Sequence, residues 1–366
     1  MTSVKKKTKK QSPESFPYDL LLTCFARVPR MYYPTLSLVS KSCRTLLASP
    51  DLCKTRSLLN HRESCLYVCL KFPYFDPNPR LFTLCQKPNR TLTNIPKKKN
   101  KKSTAHVLVP APVPNPPPKD YKMVAVGSNI YAIGGTIENA PSSSVSVLDC
   151  QSHTWHKAPS MLMDRNYPAV NVVDGKIYVA GGLKDFTSSN WMEVFDPNTQ
   201  TWELISRPLD KICRHMYKSL VIEGDIYHFG DNVVAYKPKE DKWIAITKEH
   251  PNFLTGWFQY SYCMIDNVMY CYHPAGGVLW YDSKLRCWNK LKGLEGLPNF
   301  GRYSAVKLAD CGGKLVVLWD KYVRASRYKE IMIWCAEISL EKCNWSDAVL
   351  TVPKSYYFVS AIYATY

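Results

Sequence analysis

Five times along this chain a large apolar residue is followed, seven positions later, by tryptophan: Leu148 and Trp155, Phe195 and Trp202, Tyr236 and Trp243, Tyr281 and Trp288, Ile338 and Trp345. The residues between them carry turn chemistry, clearest in "VFDPNTQTW" (194–202), where Asp suits the first position of a type I turn and Pro pre-sets the second. An offset of seven predicts a hairpin with a four-residue loop, in which the two named residues face each other across the strands. One inserted residue would break that pairing, so the constant spacing has a physical cause.

A second frame, opened by tyrosine, precedes each hairpin: "YKMVAV" at 121, "YPAVNV" at 167, "YKSLVI" at 217, "YSYCMI" at 260 and "YSAVKL" at 303. Each leads through a polar turn into another apolar strand. The tyrosine-to-tyrosine steps are 46, 50, 43 and 43 residues. Four strands repeated at such a period predict the blades of a β-propeller. Five units are complete, and the chain ends supply a sixth. "CLYVCLKF" (65–72), "RLFTLC" (80–85) and "TLTNIP" (91–96) read as later strands of a blade without its first, and "YYFVSAIY" (356–363) reads as a first strand with nothing after it. Pairing the two would close the ring and leave no edge open.

The double glycines Gly134–Gly135 and Gly181–Gly182, with Trp155 and Trp202 downstream, resemble the kelch signature. Later units keep one glycine (Gly230–Asp231) or none. The resemblance covers roughly residues 65–366 and implies a six-bladed kelch propeller. The glycines themselves read as structural, placed where two backbones approach closely.

Residues 13–60 have helical periodicity, with Leu21, Phe25 and Val28 on one face and Leu36, Val39 and Cys43 on another. The stretch "FPYDLLLTCFARVPRMYYPTLSLVSKSCRTLLASPDL" resembles an F-box at Pro17, Asp19, Leu20, Leu22, Val28, Pro29, Leu36, Val39, Ser40, Arg44, Leu47 and Ser49. Phe16 stands where the family usually has Leu, and Ser42-Cys43 where a basic residue and Trp are common. The whole chain is similar to plant F-box/kelch-repeat proteins: mainly β, with three short helices before the propeller. That resemblance implies a substrate receptor of an SCF-type ubiquitin ligase, with a Skp-type adaptor and, through it, a cullin as partners. It places Phe16, Pro17, Leu20, Leu21, Val28, Pro29 and Val39 at the adaptor contact. The alternative is a non-catalytic kelch scaffold whose F-box no longer engages the adaptor.

The net charge of +18 would point to nucleic acid if it were spread over a face. It is not. Residues 1–120 hold 22 basic against 6 acidic side chains, and residues 121–366 hold 26 against 24. Ten of the lysines sit in "KKKTKK" (5–10) and "KKKNKK" (97–102), the second beside the proline-rich "PAPVPNPPPK". Neither run has interleaved aromatics, so a nucleic-acid role is not expected. The organisation read here is a basic tail (1–12), an F-box (13–60) and a propeller (61–366) with a Lys/Pro-rich insertion near 97–119. No apolar leader follows the first lysines and no run reaches membrane-span length, so the expected setting is cytoplasmic and/or nuclear, with no membrane partner. The 14 cysteines then read as reduced.

No Gly-x-Ser-x-Gly, P-loop or His-Glu-x-x-His occurs and the eight histidines are scattered, so neither catalysis, a cofactor nor a metal is expected. Kelch receptors that hold peptides often place an Arg just before a blade's first strand. Arg165, Arg214 and Arg302 occupy that position, and a guanidinium fork suits carboxylate or phosphate. An equally open reading has them salt-bridge between blades. Trp257 and Arg324, in long loops of the same face, complete the target-binding candidates.

Overall fold

The computed structural model describes residues 17–59, 65–72, 76–87, 106–111, 113, 119–185, 188–206, 218–246, 261–285, 287–292, 294, 297, 305–323, 326, 330–339 and 342–364. Phe16, Arg214, Trp257, Arg302, Arg324, both lysine runs and "TLTNIP" lie outside them. The chain divides into two compact units, Met1–Arg62 and Glu63–Tyr366.

In the first unit, the carbonyl of Pro17 accepts from the Leu20 and Leu21 amides and starts α1 (Tyr18–Ala26). A 3-10 turn (Arg30–Tyr32) runs into α2 (Tyr33–Leu36), which has a proline in its first turn. The N-cap Ser40 Oγ accepts from the Cys43 amide at 3.0 Å and opens α3 (Lys41–Leu47). These are the three short helices expected; Pro50–Leu58 adds α4. The core they share is small, with Leu22, Ala26, Leu46 and Leu52 buried. Arg56 of α4 reaches back to the end of α1, donating from Nη1 to the carbonyls of Ala26 (3.0 Å) and Val28 (2.8 Å) and to the Tyr33 hydroxyl (3.1 Å). It satisfies carbonyls that a helix end leaves without an intrahelical donor.

The second unit is a propeller of six four-stranded antiparallel sheets. Blade 1 comprises Cys65–Phe72, Asp76–Gln86 and His106–Ala111, with Tyr357–Ala364 as its innermost strand. Blades 2 to 6 follow in chain order from the inner strands Lys122–Val126, Ala169–Val173, Lys218–Ile222, Tyr262–Ile265 and Val306–Asp310. The closing strand pairs antiparallel with Cys65–Phe72, with Tyr67 opposite Ile362 and Val68 opposite Ala361, so the ring closes as the chain ends required. Blade 1 corrects one detail. Its outer strand is His106–Ala111, which falls inside the stretch read as a Lys/Pro-rich insertion. "HVLVPA" is a short alternating apolar run, masked in the sequence by the prolines on its far side.

Side chains alternate along each strand, so every blade packs on both neighbours. One apolar cluster fills each interface. Ile133, Ile177, Val179 and Phe195 lie between blades 2 and 3; Tyr178, Ile226, Tyr236 and Trp243 lie between blades 3 and 4.

The tryptophan frame pairs as expected in four blades: Leu148 with Trp155, Phe195 with Trp202, Tyr236 with Trp243 and Tyr281 with Trp288. The indoles add an inter-blade bond. Trp202 Nε1 donates to the Pro159 carbonyl at 2.9 Å and Trp243 Nε1 to that of Ser206 at 3.0 Å, each at the exit of the preceding blade. The fifth pair fails. In blade 6 the register slips between Glu337 and Ile338, so Trp345 stands opposite Glu337 and Ile338 opposite Cys343. A bulge has taken up an extra residue there.

The glycine pairs are structural, as read. Gly135 has φ +94°, and a Cβ there would overlap the Lys119 carbonyl oxygen and stand 2.8 Å from the Tyr121 nitrogen. Gly182 (φ +73°) would put one 2.5 Å from the Asn166 oxygen. Gly127, at φ +57°, has open space around it. Gly135→Ala is therefore expected to destabilise the propeller by roughly 2–4 kcal/mol, backbone strain and overpacking together. Gly127→Ala should cost about 1 kcal/mol, from strain alone. Urea denaturation of the two variants checks this, and equal losses would remove the close-approach explanation.

Candidate functional sites

Two surfaces qualify, one on each unit. On the helical unit, the residues expected at an adaptor contact fall into two groups. Leu21 packs against the small core and, with Tyr18 and Phe25, lines a groove of about 930 Å³ whose other wall is Lys41–Leu46 and Ala48–Pro50. Helical spacing turns Leu20 to the opposite side of α1, and Pro17, the residue before the helix, is exposed. Leu20 is 45% exposed, and beyond α2 Leu38 and Val39 are 78% and 68% exposed. Val28 and Pro29 are half-buried.

On the propeller, the expected arginine site needs correction. Arg165 is fully buried and cannot meet a target. Its Nε donates to Glu193 Oε1 at 2.7 Å, its Nη1 to the carbonyls of Gly181 (2.7 Å) and Trp191 (2.8 Å), and its Nη2 to that of Asn190 (3.3 Å). Glu193 Oε2 accepts from the Leu162 amide at 2.7 Å. The Arg165 backbone bridges to Ser142 and accepts from the Gly135 amide, so the residue joins blades 2 and 3. Burial pulls its guanidinium below the usual range while Glu193 opposes the shift. The fork that suited a ligand carboxylate is used on an internal one. Beside it, Thr136–Ile137 and Ala140–Pro141 pair as a short hairpin.

What the described part of this face presents instead is a polar network at the starts of the inner strands. Lys71 Nζ lies 3.0 Å from Asp120 Oδ1. Burial lowers the Lys71 ammonium, but bonding to Asp120 and Tyr357 outweighs it and holds the group above the ordinary lysine value. Tyr167 is 57% exposed, adopts φ +50° and hydrogen-bonds Asp120; burial and then that carboxylate raise its phenol. A left-handed tyrosine is uncommon, and strain of this kind persists where the surroundings enforce it. Three lysines not singled out from the sequence stand on the same inner strands: Lys122, Lys218 and Lys307. The signal was present in "YKMVAV", "YKSLVI" and "YSAVKL", as a cation within an otherwise apolar strand. Among the described residues no cluster of His, Cys, Asp and Glu is arranged to hold a metal ion. No helix among them is long and apolar enough to cross a membrane.

Comparison with known proteins places both units. An F-box domain model matches residues 14–55, and the FKB95 kelch-repeats domain matches 81–352, more than half the chain. The F-box/kelch-repeat protein At4g39550 of Arabidopsis thaliana is 53% identical over 99% of this chain and 98% of its own length. From the same plant, F-box/kelch-repeat protein At5g49000 is 57% identical over the whole of both chains, and At4g39580 is 50% identical over 95% of this chain and 93% of its own. With an F-box at its start and a six-bladed kelch propeller after it, the chain belongs to the F-box/kelch-repeat family.

Proposed function

We propose that the chain is the substrate-recognition subunit of an SCF-type ubiquitin ligase. Its helical unit binds a Skp-type adaptor, and through it a cullin, while the propeller holds a target protein. An F-box joined to a kelch propeller fits a substrate-receptor role in general. The observation that carries the specific reading is the exposure of Leu20, Leu38 and Val39 on a unit whose own core is four residues. Burying a leucine at an interface stabilises by about 1.5–3 kcal/mol, so a partner covering these residues gains much for little area. In this role the chain is a non-catalytic receptor.

Changing Leu20 to Asp and Pro29 to Ala together should abolish co-purification of a Skp-type adaptor. The propeller's melting transition should stay where it was, since neither residue belongs to that unit. Undiminished adaptor binding by the double variant would sink the assignment. No adaptor binding by the parent protein would leave the scaffold role in its place.

A further inference from the structure

Lys122, Lys218 and Lys307 lie on the inner strands of blades 2, 4 and 6, every second blade around the ring. Lys122 and Lys218 occupy the same rung. Each opens its inner strand and pairs with the residue before a glycine, Ile133 before Gly134 and Phe229 before Gly230. Lys307 stands on the same rung, four residues before the Cys311–Lys314 hairpin pair and opposite Leu318. The inner strands converge on a central cavity of about 400 Å³, whose lining includes Met123 and Ser219, the neighbours of Lys122 and Lys218, with Asn171, Tyr262, Tyr363 and Asp310. Lys218 Nζ sits 4.5 Å from the centroid of the Tyr262 ring, so its charge is held over an aromatic face on the next blade.

We propose that these three lysines form an anion-binding ring in the propeller's central channel, taking one small molecule that carries several phosphate or carboxylate groups. Like charges on alternate blades repel one another across a narrow low-dielectric tube, and a compact multivalent anion converts that repulsion into three charge-assisted contacts. Neither local acid does so: Asp310, on the cavity lining, accepts from the Gly313 amide at 2.8 Å, and no lysine is among the groups acting on it. Asp120 acts on Lys122 but is already bound by Lys71 at 3.0 Å. Among the described residues the groups acting on Lys307 are Lys122, Lys218 and two thiols, Cys263 and Cys69. Burial pushes the Cys69 thiol up to about 12 and raises that of Cys263, so both stay uncharged at neutral pH. The lysines register the crowding. Burial lowers all three ammonium groups, Lys218 to about 8, and repulsion from Lys307 and Lys122 adds to the fall at Lys218. At about 8, Lys218 still carries its charge at neutral pH. The cavity volume lies within the range of small-molecule sites and admits a ligand of a few phosphate or carboxylate groups.

The test uses the full chain with the ten lysines of residues 5–10 and 97–102 changed to Gln, so that binding by the runs is removed. Tripolyphosphate and citrate are titrated by calorimetry at fixed ionic strength, which separates a phosphate from a carboxylate preference. One-to-one binding of either anion is expected. Lys218→Met and Lys307→Met should each weaken it by about tenfold or more, the loss of one charge-assisted contact. Lys290→Met, an exposed lysine on an outer strand, should leave it unchanged. The same channel variants without ligand should melt at or above the parent's temperature, because each removes a repelling charge; this reading needs no ligand. Absence of binding by both anions at millimolar concentration would overturn the proposal. So would binding that survives Lys122→Met, Lys218→Met and Lys307→Met together, or channel variants that melt well below the parent.

Discussion

Removing residues 356–366 should leave a protein that cannot be recovered as a soluble, cooperatively melting propeller. The closing strand is not an ordinary terminus. Both of its faces are in use: Phe358, Ala361 and Tyr363 pack into the cluster between blades 6 and 1, and Val359, Ile362 and Ala364 into the one between blades 1 and 2. Its loss bares the edge of Cys65–Phe72, where Leu66, Tyr67, Val68, Cys69 and Leu70 are all buried in the intact fold. An apolar edge of that length is a template for pairing with other chains. Soluble yield, size-exclusion profile and a thermal melt read the outcome. A synthetic peptide of residues 355–366 added during refolding should restore part of the soluble fraction, by completing the sheet in trans. A soluble truncated protein that melts like the parent would show that the ring is held some other way.

The architecture was legible because propeller blades repeat, and a repeat shows itself without any partner residue being identified. The seven-residue offset needed only turn length and strand alternation, both local properties. It failed at Ile338 and Trp345, where a bulge between the third and fourth strands of blade 6 shifts the pairing while the sequence offset stays seven. The closing strand was legible by elimination, since "YYFVSAIY" had strand texture and no sequence neighbour to pair with. The outer strand of blade 1 was not, because prolines around "HVLVPA" carry the same signal as a linker.

Site residues were harder to read, for a different reason. Position before an inner strand does not say which way a side chain turns. Arg165 turns inward because Gly181, Asn190 and Trp191 leave carbonyls in a sealed pocket where only a forked donor reaches all three. The channel lysines fail the opposite way: alternation places them among apolar neighbours, but an inner strand borders the channel as well as its neighbouring blades. Only the closed ring sets the three inner strands that carry them, from distant segments, around one axis. On the helices, exposure of Leu20 and Val39 is a property of the folded unit, and resemblance to a family supplied those positions before any geometry did.

Arg165→Ala should destabilise the propeller by about 3–5 kcal/mol, the usual cost of leaving one partner of a buried ion pair behind. Truncation strands the Glu193 carboxylate, which keeps only the Leu162 amide among its observed bonds, and removes the donor to three carbonyls. The melting temperature should fall by roughly 6–12 °C. Arg165→Lys keeps the charge but has no planar fork, so it should recover only part of the loss. Arg165→Met combined with Glu193→Leu should be milder than Arg165→Ala alone, since no buried charge is left unpaired, although the carbonyls remain without their donor. Thermal denaturation of the four proteins under one buffer orders them as parent, lysine variant, double variant and alanine variant. The order carries the physics. An alanine variant that melts with the parent would mean that the arginine is not a structural tie, and would return it to the face where a target binds.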